Sequence, residues 1–303
     1  MNSINLTRER SLYSAFSERA IQLRQSEMAQ LQEQMATGLR INRASDDPAG
    51  FAEARRMEVL GNRYNQYQQN IQSAQMWVDQ SHNALQNLGE LFSQAYERGL
   101  RVSNATFDQS GAEVEASGLE QTLQQVVDTL NTKSGDEYVF AGSRTTVEPF
   151  TLDTATNTVT YNGNDGGRKR SIGMNVSMDV NVNGQAVTDT GDGYSIVESL
   201  KNMIDAVRSG DKTALKTALG QVGVARDHVI DQTAAVGTVA TRLSLADQQL
   251  SDALINVESQ RSRLEDTDLA EAITDFQKAQ TSFQAALQVT STLLHTNILE
   301  YLK

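Results

Sequence analysis

The chain has 303 residues, a length typical of about two domains and sufficient to bury a core. Its formal net charge of −12 argues against nucleic acid or an anionic membrane surface as the main partner, because both favour basic proteins. Cysteine is absent, which excludes disulfides, thiolate metal sites and a cysteine nucleophile. Only two prolines occur, so long uninterrupted helices are permitted over most of the chain.

An amphipathic helix is predicted at the N-terminus, where no apolar run typical of a secretory signal is present. Its apolar residues recur every three or four positions, with one shift in register, at Tyr13, Phe16, Ala20, Leu23, Met28, Leu31 and Met35. Asp47 then precedes Pro48, a pair typical of an N-cap followed by the first helical residue. A second helix is therefore expected to begin near Ser45.

A heptad pattern dominates the first half of the chain. Apolar residues occupy eleven of the thirteen positions Leu60, Tyr64, Tyr67, Ile71, Ala74, Val78, Ser81, Leu85, Leu88, Phe92, Ala95, Gly99 and Val102. This 3.5-residue repeat predicts a long helix that packs against other helices along its whole length. A shorter helix is predicted to follow, opened by a capping box between Ser110 and Glu113.

The middle of the chain differs in composition and predicts a small β region. Nine of the twenty glycines lie between Ser134 and Gly193. Residues 158–161 are β-formers, residues 162–167 (NGNDGG) are typical of a turn, and residues 176–182 alternate with period two. Asn183-Gly184 is predicted to form the next turn.

Helical patterns return in the second half. Ser195 and Glu198 form a capping box before a short amphipathic helix. A second heptad pattern then runs from Leu215 to Leu264 with eleven apolar residues in fifteen positions, which predicts an antiparallel partner for the first long helix. A last helix is predicted after Asp268, with apolar residues at Leu269, Ile273, Phe276, Phe283, Leu287 and Leu294 and a second apolar face that includes Val289.

Few residues suggest catalysis or metal binding. The three histidines, His82, His228 and His295, lack the spacing of zinc ligands. The turn at residues 162–167 is similar to a calcium loop, but position twelve is Gly173, so an EF-hand is excluded and only a weak calcium site stays open. A hydrolase using Asp165, Asp189 and Asp192 ranks last, because Asp and Gly are ordinary turn residues. No cofactor or metal is expected, and the protein is not expected to be an enzyme.

Two segments at opposite ends of the chain resemble the flagellin family. Residues 35–50 (MATGLRINRASDDPAG) resemble the element that ends the first flagellin helix, and residues 262–268 (SRLEDTD) resemble the family's C-terminal element. Residues 138–150 (YVFAGSRTTVEPF) and the proline at position 48 resemble the hook–filament junction branch, the FlgL-type hook-associated proteins. The Arg43-Ala44 pair is flagellin-like, so a short flagellin that forms the filament itself is the alternative, and a cytoplasmic coiled-coil adaptor is a less favoured one.

The resemblance implies a mainly α fold: an elongated antiparallel helical bundle or coiled coil, formed by the N- and C-terminal halves, with a small inserted β domain. The expected domains are residues 1–44 with 267–303 (terminal coiled coil), 45–147 with 194–266 (long bundle) and 148–193 (β insertion). The implied function is a structural adaptor in the bacterial flagellum. Its implied partners are further copies in a ring, hook-associated protein 1, flagellin and an export chaperone.

The family resemblance also implies a location and an assembly site. Such proteins leave the cell through the flagellar type III exporter without a cleaved signal, and their terminal segments fold only on assembly. Gln-rich stretches such as residues 22–34 fit this expectation, since they carry too little apolar surface to fold alone. The predicted assembly interface consists of Tyr13, Phe16, Leu23, Leu31, Met35, Ile273, Phe276, Phe283, Leu287 and Leu294.

Overall fold

A computed structural model gives the fold of the chain. It describes the backbone of residues 2–104 and 109–301, and the side chains of residues 15–104 and 110–292. The helices are α1 (Asn2–Thr37), α2 (Pro48–Asn104), α3 (Gln109–Leu130), α4 (Gly184–Thr188), α5 (Ile196–Ser209), α6 (Lys212–Glu265) and α7 (Leu269–Tyr301). The strands are β1 (Lys133–Ser134), β2 (Glu137–Tyr138), β3 (Phe150–Asp153), β4 (Thr158–Tyr161), β5 (Lys169–Gly173) and β6 (Val176–Asp179). The fold is mainly α, as predicted.

The chain forms two compact units. Unit 1 comprises Met1–Arg63 and Leu254–Lys303, and unit 2 comprises Tyr64–Ala253. The division of the chain into three domains, expected from the sequence, stays a prediction.

Unit 2 is built on a core of helices. Within this unit α2 and α6 run antiparallel, because Gln68 Nε2 donates to Ser251 Oγ (2.8 Å) at one end while Gly99 lies against Leu219 at the other. Helix α3 packs on α5, and Met203 of α5 lies against Gly99 of α2. All described positions of both heptad patterns in this unit are buried or half-buried, which explains why a polar chain can sustain these helices.

The β segment of unit 2 consists of three antiparallel hairpins, β1–β2, β3–β4 and β5–β6. In β3–β4 the register pairs Phe150 with Tyr161, and their rings lie 4.9 Å apart between centroids. Buried Phe150, Ile172 and Val180 join the same hydrophobic core as the helices. The hairpins are therefore packed onto the helical core instead of enclosing a core of their own.

Several predicted details of unit 2 are wrong. Helix α3 begins at Gln109, one residue before the predicted cap, and Glu113 pairs with Arg208 (3.0 Å). Asn183-Gly184 is not a hairpin turn but the N-cap and first residue of α4, where the Asn183 side chain accepts from Gln185 N. The alternating pattern predicted a strand over residues 176–182, but β6 ends at Asp179.

Unit 1 contains α1 and α7, which pack against each other. The two helices run antiparallel, since the end of α1 meets the start of α7: Leu39 and Asp266 form an isolated antiparallel bridge. Helix α2 begins at Pro48, the first helical residue that the Asp47-Pro48 pair predicted, close to the start expected near Ser45.

Candidate assembly surface

The two segments that resemble flagellin-family elements are hydrogen-bonded to each other in unit 1. Arg40 N donates to Glu265 O (2.6 Å), and Arg40 Nη2 donates to Leu264 O (2.7 Å). Thr267 N donates to Gly38 O (2.9 Å). Gly38 has φ +74°, a left-handed conformation that ends α1 at little cost in a residue without a Cβ. These bonds join the segment that follows α1 to the segment that precedes α7.

Carboxylates cap the helices that leave this junction. Asp47 Oδ1 accepts from Gly50 N (2.9 Å) at the start of α2, as the Asp-Pro pair predicted. Asp268 Oδ1 accepts from Ala270 N (2.9 Å) at the start of α7. Asp46 Oδ2 accepts from the backbone N–H of Arg43 (2.9 Å) and so holds the loop before α2. The carboxylates of Asp46, Asp47 and Asp268 thus accept from backbone N–H groups, which accounts for their positions just before helices.

The seam between α1 and α7 contains small side chains. Among the described side chains of α7, Ala272 and Ala279 are buried, and half-buried Ala286 continues their seven-residue spacing. Half-buried apolar side chains flank these alanines; among the predicted interface residues they are Leu31, Met35, Phe276 and Phe283. The seam therefore buries little apolar area, and the hydrophobic contribution per residue is small.

A polar cavity of about 380 Å³ interrupts this seam. It is lined by side chains from both helices, including Gln34 and Leu31 of α1 and Ala279 of α7. Two ion pairs lie at its rim, Arg24 with Glu27 (2.7 Å) and Lys278 with Asp275 (2.9 Å). The hydrogen bond from Lys278 to Asp275 raises the pKa of the lysine, so its charge is retained at neutral pH. Each pair lies within one helix, so neither bond ties α1 to α7.

Other predicted interface residues are exposed to solvent. Phe16 and Leu23 of α1 are 72% and 63% exposed, and Ile273 and Leu287 of α7 are 48% and 44% exposed. Leu269, outside the predicted set, lies on the same stripe of α7 as Ile273 and Leu287 and is also exposed. The side chains of Tyr13 and Leu294 lie outside the described residues. The predicted set is thus divided between a seam inside unit 1 and an outward apolar stripe.

Among the described side chains, no group of three or more His, Asp or Glu is arranged to hold a metal ion. Within the same described residues, no helix is both long and apolar enough to cross a membrane. Unit 1 combines exposed apolar side chains on α1 and α7 with the hydrogen-bonded junction between its two family-like segments.

Two family models match the chain at its two ends. The bacterial flagellin N-terminal helical region matches residues 12–145, and the bacterial flagellin C-terminal helical region matches residues 219–302. Together they cover more than half of the chain and include both segments that meet at the junction. The chain belongs to the flagellin family.

The relatives of this flagellin-family chain include both filament and hook-associated proteins. The flagellar filament 31.3 kDa core protein of Treponema maltophilum is 24% identical, with 95% of each chain covered. Flagellar hook-associated protein 3 of Escherichia coli is also 24% identical, covering 88% of this chain and 90% of that protein. The crystal structure of Bacillus cereus FlgL has a TM-score of 0.58 at 23% identity, covering 68% of this chain and 98% of that one. The shared fold extends over nearly the whole length of that structure.

Proposed function

We propose that this protein is a structural component of the bacterial flagellum that acts at the hook–filament junction. In this proposal a ring of copies links a layer of hook-associated protein 1 to the first flagellin subunits. The observation that carries the proposal is the outward apolar stripe on α7. The neighbouring seam between α1 and α7 is too small to bury the apolar side chains of both helices. The similarity to flagellar hook-associated protein 3 supports the junction as the location.

The stripe favours copies of the same chain and related subunits as its partners. Leu269, Ile273 and Leu287 leave about half of each side chain in water in the single chain. Full burial of such a side chain is worth about 1.5–3 kcal/mol, and in a ring the contribution is repeated in every copy. Surfaces of this kind are typical of proteins that are stable only in their assembly.

The same features support the proposed route and location. Export through the flagellar type III system would deliver the chain outside the cell without cleavage of a signal, and a cytoplasmic chaperone would cover the terminal segments beforehand. An under-packed α1–α7 seam fits this route, because it costs little free energy to open. The absence of cysteine is compatible with passage as an unfolded chain.

A short flagellin is the second candidate, and the similarity to a Treponema filament protein favours it. The two candidates differ in self-assembly. A flagellin polymerises alone into long filaments, whereas a junction protein forms only limited rings and needs its neighbours. Electron microscopy of the purified chain at high concentration separates them: long filaments of this chain alone would overturn the junction assignment in favour of flagellin.

The interface itself is tested by placing a charge on the stripe. In the source bacterium, Leu287→Asp should allow secretion but block incorporation, since a buried carboxylate without a partner costs several kcal/mol. We expect at least about a tenfold drop in filament number by electron microscopy, the ratio that corresponds to about 1.4 kcal/mol. Soluble flagellin should then accumulate in the medium.

Thr281→Asp is the matched control, because Thr281 is an exposed polar residue of the same helix outside the apolar stripe. This variant adds the same charge and should leave filaments and motility unchanged. Circular dichroism of both purified variants verifies that unit 2 is folded. Normal filament growth with Leu287→Asp would remove the stripe from the assembly interface, and an equal defect in both variants would indicate a general effect of charge.

A further inference from the structure

Two Asn-Gly steps occur in the chain, at residues 162–163 and 183–184, and both lie beside Tyr161. In an Asn-Gly step the backbone nitrogen of glycine can attack the side-chain carbonyl carbon of asparagine, because glycine has no Cβ to hinder the approach. Asparagine is for this reason among the thermolabile residues. The two Asn-Gly steps differ in their burial and in their hydrogen bonds.

The step at Asn183 is held by hydrogen bonds at the attacking nitrogen and at the side-chain oxygen. Gly184 N donates to Phe140 O (3.1 Å), so the attacking nitrogen is engaged, and Gly184 is buried. Asn183 Oδ1 accepts from Gln185 N (2.8 Å) as the cap of α4 and lies 3.2 Å from the Tyr161 hydroxyl. Attack would require all three contacts to open together.

The step at Asn162 has no such protection. It lies just after β4, in the loop before β5, and both of its residues are only half-buried. Within the described part of the chain, Gly163 N–H donates no hydrogen bond, and Asn162 Nδ2 has a single long contact with Thr151 Oγ1 (3.3 Å). The backbone nitrogen and the leaving amide are thus both available.

The fold also keeps glycine at this position. A Cβ on residue 163 would lie 2.4 Å from the Tyr161 hydroxyl oxygen, closer than any normal contact. Tyr161 in turn packs on Phe150 and lies within hydrogen-bonding distance of Phe140 O (3.1 Å). The packing that secures β4 to the core therefore favours glycine at position 163, directly after Asn162.

We propose that Asn162 is a site of spontaneous deamidation in the folded protein, whereas Asn183 is protected by the fold. The Gly163 nitrogen forms a bond to Asn162 Cγ, the Cγ–Nδ2 bond breaks, and ammonia leaves with the proton from the Gly163 nitrogen. Water then opens the cyclic imide. Cleavage of the bond from Cγ to nitrogen gives aspartate, and cleavage of the backbone carbonyl bond to nitrogen gives isoaspartate. Either product adds one negative charge.

The modification has a local structural consequence. Isoaspartate lengthens the backbone between β4 and Asn164 by one carbon. The Asn164 side chain accepts from Ser143 N (2.7 Å) and Gly166 N (3.2 Å), and its backbone N donates to Ala141 O (3.3 Å). Displacement of Asn164 would weaken these bonds between the loop and the turn at Gly142.

The experiment ages the intact protein at mildly alkaline pH, below its unfolding temperature, and follows deamidation by peptide mapping with mass spectrometry. Trypsin places the two Asn-Gly steps in different peptides. Cleavage after Arg144 and Arg168 releases the peptide with Asn162, and cleavage after Arg170 and Lys201 releases the peptide with Asn183. Fragmentation then locates the change at a single residue. A parallel sample in concentrated denaturant gives the intrinsic rates of both steps.

We expect equal rates in denaturant and, in the folded protein, modification at Asn162 at least about tenfold faster than at Asn183, since the latter must open locally first. Asn162→Gln should abolish the change in its peptide and leave the Asn183 peptide unaffected. Equal protection of both steps in the folded protein would overturn the proposal, as would faster reaction at Asn183. Neither outcome depends on the flagellar assignment.

Discussion

At the scale of single residues, Glu120 shows how one carboxylate joins three elements of unit 2. Its Oε1 lies 3.0 Å from Arg208 Nη1 of α5 and accepts from Asn157 Nδ2 (2.8 Å), at the turn of the β3–β4 hairpin. The hydrogen bonds from Arg208 and then Asn157 lower the pKa of Glu120 below 4.5. The ionised form is therefore the one that stabilises the folded state.

Replacement of this carboxylate should change stability in a pH-dependent way. The pKa of Glu120 is lower in the folded state than in the unfolded chain. The stabilisation by its charge is therefore complete at pH values above the unfolded pKa of 4.5, and it is lost as the pH falls through the lower folded pKa. Glu120→Gln should lower the free energy of unfolding at neutral pH by about 1 kcal/mol, since the pair is partly exposed. Urea titrations at several pH values measure this difference, which should disappear in acid.

Glu90→Gln is the control for that measurement, because Glu90 is exposed and forms no ion pair within the described residues. It should leave the free energy of unfolding nearly unchanged across the same pH range. A difference for Glu120→Gln that persists in acid would show that the charge is not the source of the stabilisation.

Arg168 secures the β segment to α2 in a second way. Its guanidinium carbon lies 4.3 Å from the centre of the Trp77 ring, and Nη1 lies 2.6 Å from Glu137 Oε2. Arg168→Gln should lower the free energy of unfolding by about 1–2 kcal/mol, from the lost cation–π contact and ion pair. Trp77 is the single tryptophan and is 4% exposed, so its emission should shift to the red as water reaches the ring.

Lys169→Gln provides the comparison for Arg168, since Lys169 is the next residue, at the start of β5, and its side chain is exposed. Stability and emission should both stay at the values of the unmodified protein. Unchanged emission in Arg168→Gln would mean that the arginine does not shield the indole.

At the scale of elements, α5 has a defined cap at each end. Ser195 Oγ accepts from Glu198 N (3.1 Å), and the Glu198 carboxylate accepts from Ser195 N (2.8 Å), a complete capping box. The helix ends at Gly210, whose φ of +67° places it in the left-handed region. Both ends of α5 thus have their backbone groups satisfied by local residues.

Ser195→Ala should destabilise unit 2 by about 1 kcal/mol, the usual cost of losing an N-cap side chain. Glu198→Ala and the double variant complete a thermodynamic cycle, measured by thermal or urea unfolding. Since the two bonds are reciprocal, the double variant should cost less than the sum of the single ones. Strict additivity would contradict a cooperative capping box.

The elements that sequence reasoning predicted well are those with a long period. Both heptad patterns became helices whose patterned residues are buried, because a repeat sustained over many turns leaves one arrangement that buries it. The wrong predictions are local. Asn183 has the chemistry of a turn residue, yet its side chain accepts from Gln185 N and caps α4.

At the scale of the whole molecule, the arrangement of the candidate assembly surface was only partly predictable. Heptad spacing identified the apolar residues of α1 and α7 but could not separate those facing the seam from those facing solvent. That separation depends on the antiparallel pairing of the two helices, which the contacts of Arg40 and Thr267 establish. The apolar spacing does not identify either residue, although both lie within the segments that resemble flagellin-family elements.

Limited trypsin digestion of the purified monomer tests the state of the terminal helices. If these helices are stable only in the assembly, trypsin should cut rapidly at exposed Arg19, Arg24 and Lys278, while Arg98 and Arg208 in unit 2 should resist. Mass spectrometry of the resistant fragment gives its ends. Equal resistance at all five sites would indicate helices that are already stable in the monomer and would favour a self-contained adaptor.

The alanines of the α1–α7 seam have a consequence for how easily the helices pair and separate. An alanine loses no side-chain rotamer freedom when it is buried, so Ala272 and Ala279 add no side-chain entropy penalty to closing the seam. It also gains little from closing, so the two states of the pair lie close in free energy. Small additions from neighbouring subunits would then be enough to shift the population to the paired helices, and removal of those subunits would release them again.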